Sequence, residues 1–288
     1  MNKGLTLSII MEANSANYGE SMGNISALKK ISRSGGNGYT YISRQALRYS
    51  IVNQLGWDNT PIDPSGSGDK TVIQFAPDAT IKDYPEIDLF GYMKTSKGNN
   101  SITRSAVVRL SNAVSLEPFN ADLDFLTNMG LASRKEGVKN SIAQSEIHKS
   151  FYSYTLVIDL EKVGIDGDVN ISNDEKSARI SDLLKTIQFL HREIRGRSEN
   201  LSPVFAIGGL YKRKTPFFEN RLNLSGQALK VDTVLDTIKG IDEETTVGYV
   251  SGIFKNDSEI KEKLNTVAIS DMFEKLIKEV KTYYEESN

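Results

Sequence analysis

Apolar and polar positions alternate with a period of two over residues 5–11 (LTLSIIM), where Leu5, Leu7 and Ile9 stand against Thr6 and Ser8. That pattern predicts a first strand. Residues 12–38 are rich in Asn, Ser and Gly and read as mostly loop, with a short turn of helix over 25–31 and a flexible break at 34–38 (SGGNG). In the next stretch, YTYISRQALRYSI (39–51), Tyr39, Tyr41 and Ile42 suggest extended chain. Ser43 then suits an N-cap, because its hydroxyl can accept a hydrogen bond from an unpaired amide of the first turn. A helix follows over 44–55, with Leu47, Ile51 and Leu55 on one face. Residues 58–70 are turn-forming, a weak strand is expected near 71–75, and 88–93 pairs with 104–110 across TSKGNNSIT. Residues 151–160 (FYSYTLVIDL) carry the clearest strand pattern. A helix over 175–195 has Ile180, Leu183, Leu184, Ile187, Leu190 and Ile194 inward, carries His191 as a structural residue and closes at Gly196. A strand at 203–210, a basic and aromatic loop at 211–218, a helix at 225–239, a strand at 247–254 and an amphipathic helix at 257–284 complete the chain.

Without its insertions the order is strand, helix, strand pair, strand, helix, strand, then an appended helix–strand–helix. This is the βαββαβ ferredoxin-like pattern, which RNA-recognition modules share; the fold class is α+β. Residues 111–147 break the pattern, being too long for a plain loop in a compact domain. Their apolar residues, among them Phe119, Phe125, Leu126, Met129 and Leu131, either pack the loop onto the body or form a projecting arm that wedges against bases or a neighbouring subunit.

Composition narrows the chemistry. At 288 residues the chain should make one domain with insertions, or at most two. It has no cysteine, so no disulfide and no thiolate site. Its two histidines, His148 and His191, leave little for a metal centre. The first apolar run is too short for a signal peptide or a membrane span, which points to a cytoplasmic protein. GSGDKT (66–71) fails the spacing of a phosphate loop. Net charge is −2, so any nucleic-acid contact must use local patches. Basic residues do cluster: Lys29, Lys30 and Arg33; Arg44 and Arg48; Arg104 and Arg109; Arg192, Arg195 and Arg197; Lys212, Arg213 and Lys214. Arg44 and Arg48 lie four apart near a helix start, where free amides and a partial positive charge favour a phosphate. On these residues alone an ordinary solvated basic face remains the commoner explanation.

Five stretches together resemble the CRISPR-associated DevR-type family, the backbone subunits of type I Cascade surveillance complexes: NISALKKI (24–31), ISRQALR (42–48), RLSNAVSLEPFNADLDFLTN (109–128), EIHKSFYSYTLVIDL (146–160) and GGLYKRKTPFF (208–218). The resemblance runs from the first strand to Leu222 and looks closest to the I-B branch. It implies a single modified ferredoxin-like, RRM-like palm over 1–288, with inserted finger helices at about 56–87 and a thumb hairpin at about 112–147. Copies of such subunits stack along crRNA, join other Cascade subunits and meet target DNA through guide pairing, with no membrane and no cofactor. The implied RNA contacts are Ser43, Arg44, Gln45 and Arg48, then Lys29, Lys30 and Arg33, then Lys212, Arg213 and Lys214. Leu116, Phe119 and Met129 are the implied base-displacing candidates of the thumb.

The resemblance implies a non-catalytic protein. The competing expectation is a ribonuclease of the same broad superfamily. General acid–base work needs partners placed around the scissile phosphate, and neither histidine has a second one nearby in sequence. Asp122 and Asp124 are the carboxylates such an enzyme would use; solvated loop carboxylates are the ordinary explanation for them.

Overall fold

In the computed structural model the described residues are 4–14, 17–33, 35–64, 71–95 and 101–287. The turn-rich stretches expected at 65–70 and 96–100, and Ser34 of the expected break, lie outside them. Strand β1 (Gly4–Ala13) forms where the alternation predicts it. The expected loop at 12–38 is a correction: it holds β2 (Tyr18–Met22), β3 (Ile25–Leu28), β4 (Lys30–Ser32) and the start of β5 (Gly38–Ile42). The helical turn expected at 25–31 is therefore extended. It pairs locally with β2 and β5 and, at β3, with β11 from far along the chain, a partner of which local composition carries no signal.

Helix α1 (Arg44–Leu55) follows, with Gly56 closing it in the left-handed conformation. Residues 71–75 form no strand; Phe75 makes an isolated bridge to Ile62. The expected strand at 88–93 is mostly helix α2 (Pro85–Phe90), because Pro85 opens a helical turn and Ile87, Leu89 and Phe90 bury together. A small hairpin, β6 (Tyr92–Thr95) with β7 (Ser101–Arg104), comes next, then β8 (Val108–Leu110) and β9 (Ala113–Ser115). Strand β10 (Asp122–Thr127), helix α3 (Met129–Ala132) and β11 (Ile142–Ile147) form a hairpin arm.

Strand β12 (Ser150–Asp159) is followed by the small pair β13 (Ile165–Asp166) and β14 (Val169–Asn170), then helix α4 (Asn173–Gln188). The helix expected to reach 195 stops at Gln188, so His191 and Ile194 are not helical. They lie in hairpin β15 (His191–Ile194) and β16 (Arg197–Asn200), turned by Arg195 and Gly196 at positive φ. Strand β17 (Pro203–Tyr211) matches expectation. The helix expected at 225–239 is a small hairpin, β18 (Leu224–Ser225) and β19 (Ala228–Leu229), followed by the shorter α5 (Val231–Ile238). Strand β20 covers Thr246–Tyr249 only. The terminal helix is two, α6 (Asp257–Leu264) and α7 (Ile269–Glu285), broken where Asn265 turns left-handed.

The main sheet has the order β20-β17-β1-β12-β9-β5-β4, with β8 also on β12. Each of these pairings is antiparallel. Two helical connections each skip one strand: β1 leads through α1 to β8 across β12, and β12 leads through α4 to β17 across β1. Leu5, Leu7, Ile9, Tyr152, Tyr154, Leu156 and Ile158 share the face covered by α1, α4 and α7. On the other face Ile10, Phe205, Ile207 and Tyr211 are covered by residues of 217–264. Gly208 and Gly209 permit this packing. A Cβ on Gly208 would meet the Thr6 carbonyl at 2.0 Å, and one on Gly209 the Glu244 carbonyl at 1.9 Å. The rest of that face, over β12, β9 and β5, carries Ser153, Thr155, Val114 and Tyr41 and is left uncovered by helices.

Candidate nucleic-acid interface

The start of α1 is built from three segments. Ser43 caps it: its hydroxyl accepts from the Ala46 amide at 3.2 Å and donates to Asn17 Oδ1 at 2.7 Å. Asn112 Oδ1 accepts from the Arg44 amide at 2.9 Å. These protein groups therefore occupy amides that a bound phosphate would need, and the Ser43 hydroxyl is buried and engaged. The Arg44 and Gln45 side chains are exposed, and Arg44 has no salt-bridge partner among the described residues. Arg48 points elsewhere: it pairs with Glu86 at 3.0 Å and lies 5.1 Å from the Phe90 ring centre. That contact ties α1 to α2.

The other expected cations divide the same way. Lys30 binds Glu146 at 2.6 Å and sits 4.5 Å from the Phe119 ring centre, locking the arm to β4. Arg33 stacks over Tyr39 at 4.7 Å with no carboxylate partner among the described residues. Lys29 is half-buried beside it in sequence. Lys212 and Arg213 are exposed at the end of β17. Lys214 is held by Asp159 at 2.6 Å and Glu161 at 2.7 Å. Burial opposes its charge, but the two carboxylates outweigh that and raise its pKa. Of these cations, Lys29, Arg33, Arg44, Lys212 and Arg213 have no carboxylate partner among the described residues.

Between the Arg33 side and the 212–223 loop the uncovered sheet face sinks into a cavity of about 370 Å³. Its floor includes Ser153 and Thr155 of β12, and its walls include Ser111, Asn112, Glu219 and Asn220. The floor is fixed by hydrogen bonds: Ser8 to Thr155 side chain to side chain at 2.7 Å, and the Thr155 amide to Ser111 Oγ at 2.9 Å. Leu116, expected as a base-displacing residue, lies in this wall and packs on the body.

The arm leaves the body next to this face. Phe119 anchors its base, edge-on to the His148 ring with centroids 5.4 Å apart. Burial pushes the His148 pKa below its ordinary value, against the raising influence of Glu117. Its Nδ1 is 2.7 Å from the Thr40 hydroxyl, which also meets Tyr152. Beyond the base the arm is exposed along its length. Leu123, Phe125, Leu126, Met129, Leu131 and Ile142 all face solvent, Phe125 at 61% and Met129 at 65%. Of the three candidates expected to displace a base, only Met129 stands on the exposed arm. Asp122 and Asp124 share one face of β10 with Leu126. Among the described residues no group of three or more His, Asp or Glu side chains could hold a metal ion, and no helix is long and apolar enough to cross a membrane.

Sequence reasoning missed two things here. Arg104 reads as surface charge but is buried, bonding Asp88 at 2.6 Å; the signal available was Asp88 in an otherwise apolar run, which needs a partner. The cavity residues Ser111, Asn112, Ser153, Thr155 and Asn220 gave no signal, because neutral polar residues on distant segments look like any loop.

The architecture, an antiparallel sheet packed by helices with a projecting hairpin, is shared in fold with solved chains of RNA-guided surveillance complexes. A solved chain described as "CRISPR RNA-guided surveillance complex, pre-nicking" superposes with a TM-score of 0.63, covering 96% of this chain and 100% of its own at 10% identity. Another, described as "CRISPR RNA-guided surveillance complex", gives 0.55 over 97% and 99% at 14% identity. At such identities the likeness is one of fold. A comparison with curated proteins gave no match. The family model described as CRISPR-associated negative auto-regulator DevR/Csa2 matches residues 5–223, and the chain belongs to that family.

Proposed function

We propose that the chain is the non-catalytic backbone subunit of a type I Cascade surveillance complex, of the I-B branch. In this reading copies bind crRNA through its phosphate backbone, stack along it in the cytoplasm beside other Cascade subunits, and present the guide for pairing with target DNA. The main sheet is an RRM-like palm, residues about 56–87 are the finger and about 112–147 the thumb. The observation that carries the reading is the juxtaposition of an open polar sheet face, flanked by Arg33, Arg44, Lys212 and Arg213, with an arm that exposes large apolar side chains along β10, α3 and the start of β11. Cations on a rim hold a backbone without reading sequence, and apolar residues on an arm can part stacked bases. Family membership and the fold likeness support the same reading.

The test is to co-express the chain with its own locus, purify it and sequence any bound RNA. Guide-length RNAs with repeat-derived ends are expected, and recovery of a monomer free of RNA overturns the reading. The ribonuclease alternative is tested on the same material. RNA cleavage that depends on Mg²⁺ and is lost in Asp122→Ala and Asp124→Ala would replace a scaffold with an enzyme.

A further inference from the structure

Ser43 is one of the RNA contacts that the family resemblance implies, but its hydroxyl is engaged in capping α1 and in the bond to Asn17. The cavity on the open sheet face offers what Ser43 cannot. We infer that this cavity is a ribose seat, one that takes the 2′-hydroxyl of a guide nucleotide and so makes the protein selective for RNA over DNA. The inference rests on the RNA-binding reading given above.

Its charge is the first argument. Among the described residues Arg33 is its one cationic and Glu219 its one carboxylate lining residue, so the two cancel. A phosphate seat needs surplus positive charge, and the exposed cations Arg44, Lys212 and Arg213 lie outside the lining. The rest of the lining is uncharged: apolar Val114, Leu116 and Leu222 beside groups that both donate and accept, among them Asn112, Ser153, Thr155 and Asn220. A 2′-hydroxyl is itself a donor and an acceptor, and it is the group by which proteins distinguish RNA from DNA.

Unused hydrogen-bonding capacity is the second argument. Asn112 spends its carbonyl oxygen on the Arg44 amide, while its NH₂ has no partner among the described residues. The Ser153 hydroxyl and the Asn220 carboxamide likewise make no side-chain hydrogen bond among them. Asn220 is also held at φ 60, an uncommon conformation for a residue with a side chain. The volume, about 370 Å³, sits at the small end of ligand sites, which run from roughly 300 to 1,000 Å³. It suits a sugar better than a stacked run of bases. Asn112 makes the arrangement a unit: one carboxamide both lines the cavity and fixes the helix start that presents Arg44 to the adjoining phosphate.

The experiment measures binding of two unrelated guide-length single strands, each as RNA, as 2′-deoxy and as 2′-O-methyl, over a range of salt. The proteins are the wild type, Ser153→Ala with Asn220→Gly, and Lys212→Ala with Arg213→Ala. Glycine suits position 220 because it tolerates positive φ. The wild type is expected to bind RNA about tenfold or more tighter than either sugar variant, the yield of one or two neutral hydrogen bonds. The Ser153/Asn220 variant should bring that ratio close to one and keep its salt slope. The Lys212/Arg213 variant should weaken all strands alike and lower the slope by about 0.7 per lost phosphate contact. A wild-type ratio near one, a ratio unmoved by Ser153→Ala with Asn220→Gly, or a dependence on base sequence in place of sugar overturns the ribose assignment while leaving RNA binding intact. No binding of any strand overturns the RNA-binding reading itself.

Discussion

At the scale of single residues the decisive group is Asp88. Its carboxylate is fully buried and holds two guanidiniums, Arg104 at 2.6 Å and Arg179 at 3.0 Å, together with the Gly164 amide at 2.9 Å. Arg179 reaches on to the carbonyls of Ile81 and Lys82, so one acid ties the chain before α2 to β12's exit and to α4. Removing one member of a buried ionic group strands the others. Asp88→Asn should therefore cost about 3–5 kcal/mol, read by urea unfolding, whereas Asp124→Asn on the exposed arm should cost almost nothing. Equal, small effects would show that the triad does not organise the region.

His148 gives a second prediction at this scale. Burial lowers its pKa beneath the ordinary 6.5, so the unfolded chain binds the proton more readily than the folded one. Stability contributed by neutral His148 is present above about pH 6.5 and lost as pH falls through the lower folded value. Glu117 and Asp122 oppose the shift and narrow the window. His148→Gln should flatten the fall in stability between pH 6.5 and 5 in thermal melts. An unchanged slope would assign the acid sensitivity to other groups.

At the scale of elements, the sequence is legible where pattern is local. The alternation in β1 and β12, the cap and spacing of α1, and the apolar run of β17 each predict an element that forms. Strands β2 to β4 were not legible, since this Asn-, Ser- and Gly-rich chain lacks clean alternation and becomes strand by pairing β2 with β3, β3 with β11 of the arm, and β4 with β5. The overlong reading of α4 has a different cause. Leu190 and Ile194 fall at helical spacing by coincidence, and the competing signal was Arg195-Gly196, a two-residue turn with both φ positive. Gly196 has open space where a Cβ would go, so the penalty of a side chain there is purely conformational. Gly196→Ala should cost about 1 kcal/mol. The hairpin also buttresses the arm: Arg195 donates to Ser145 Oγ at 2.7 Å and lies 4.1 Å from the Tyr18 ring centre. Arg195→Ala should speed amide exchange in β10 and β11 with little change in global stability. If exchange there is unaltered, the arm stands without this prop.

At the scale of the whole molecule the proposed interface is an assembly of groups that are unremarkable alone. Its cations were visible in the sequence, but their pairing was not: Arg48, Lys30 and Lys214 bind carboxylates 38, 116 and 53–55 residues away, and only folding decides which charges remain free. The arm follows the same logic. Leu116 and Phe119 are apolar like the rest, yet they anchor its base, and the residues left outside are those of β10, α3 and β11. Exposed apolar surface on this scale is costly to keep in water and marks a contact. Replacing Phe125, Leu126, Met129 and Leu131 together by serine removes that surface and leaves the Lys30–Glu146 lock and the Phe119 anchor in place. The monomer's melting temperature should hold or rise, because the exposed side chains contribute little to folding. Affinity for a short RNA, set by the rim cations, should stay within a few-fold, while the nuclease-protection pattern on a full guide should lose its periodicity. A periodic pattern that survives the fourfold change would mean that the arm's apolar face meets neither bases nor a neighbouring copy.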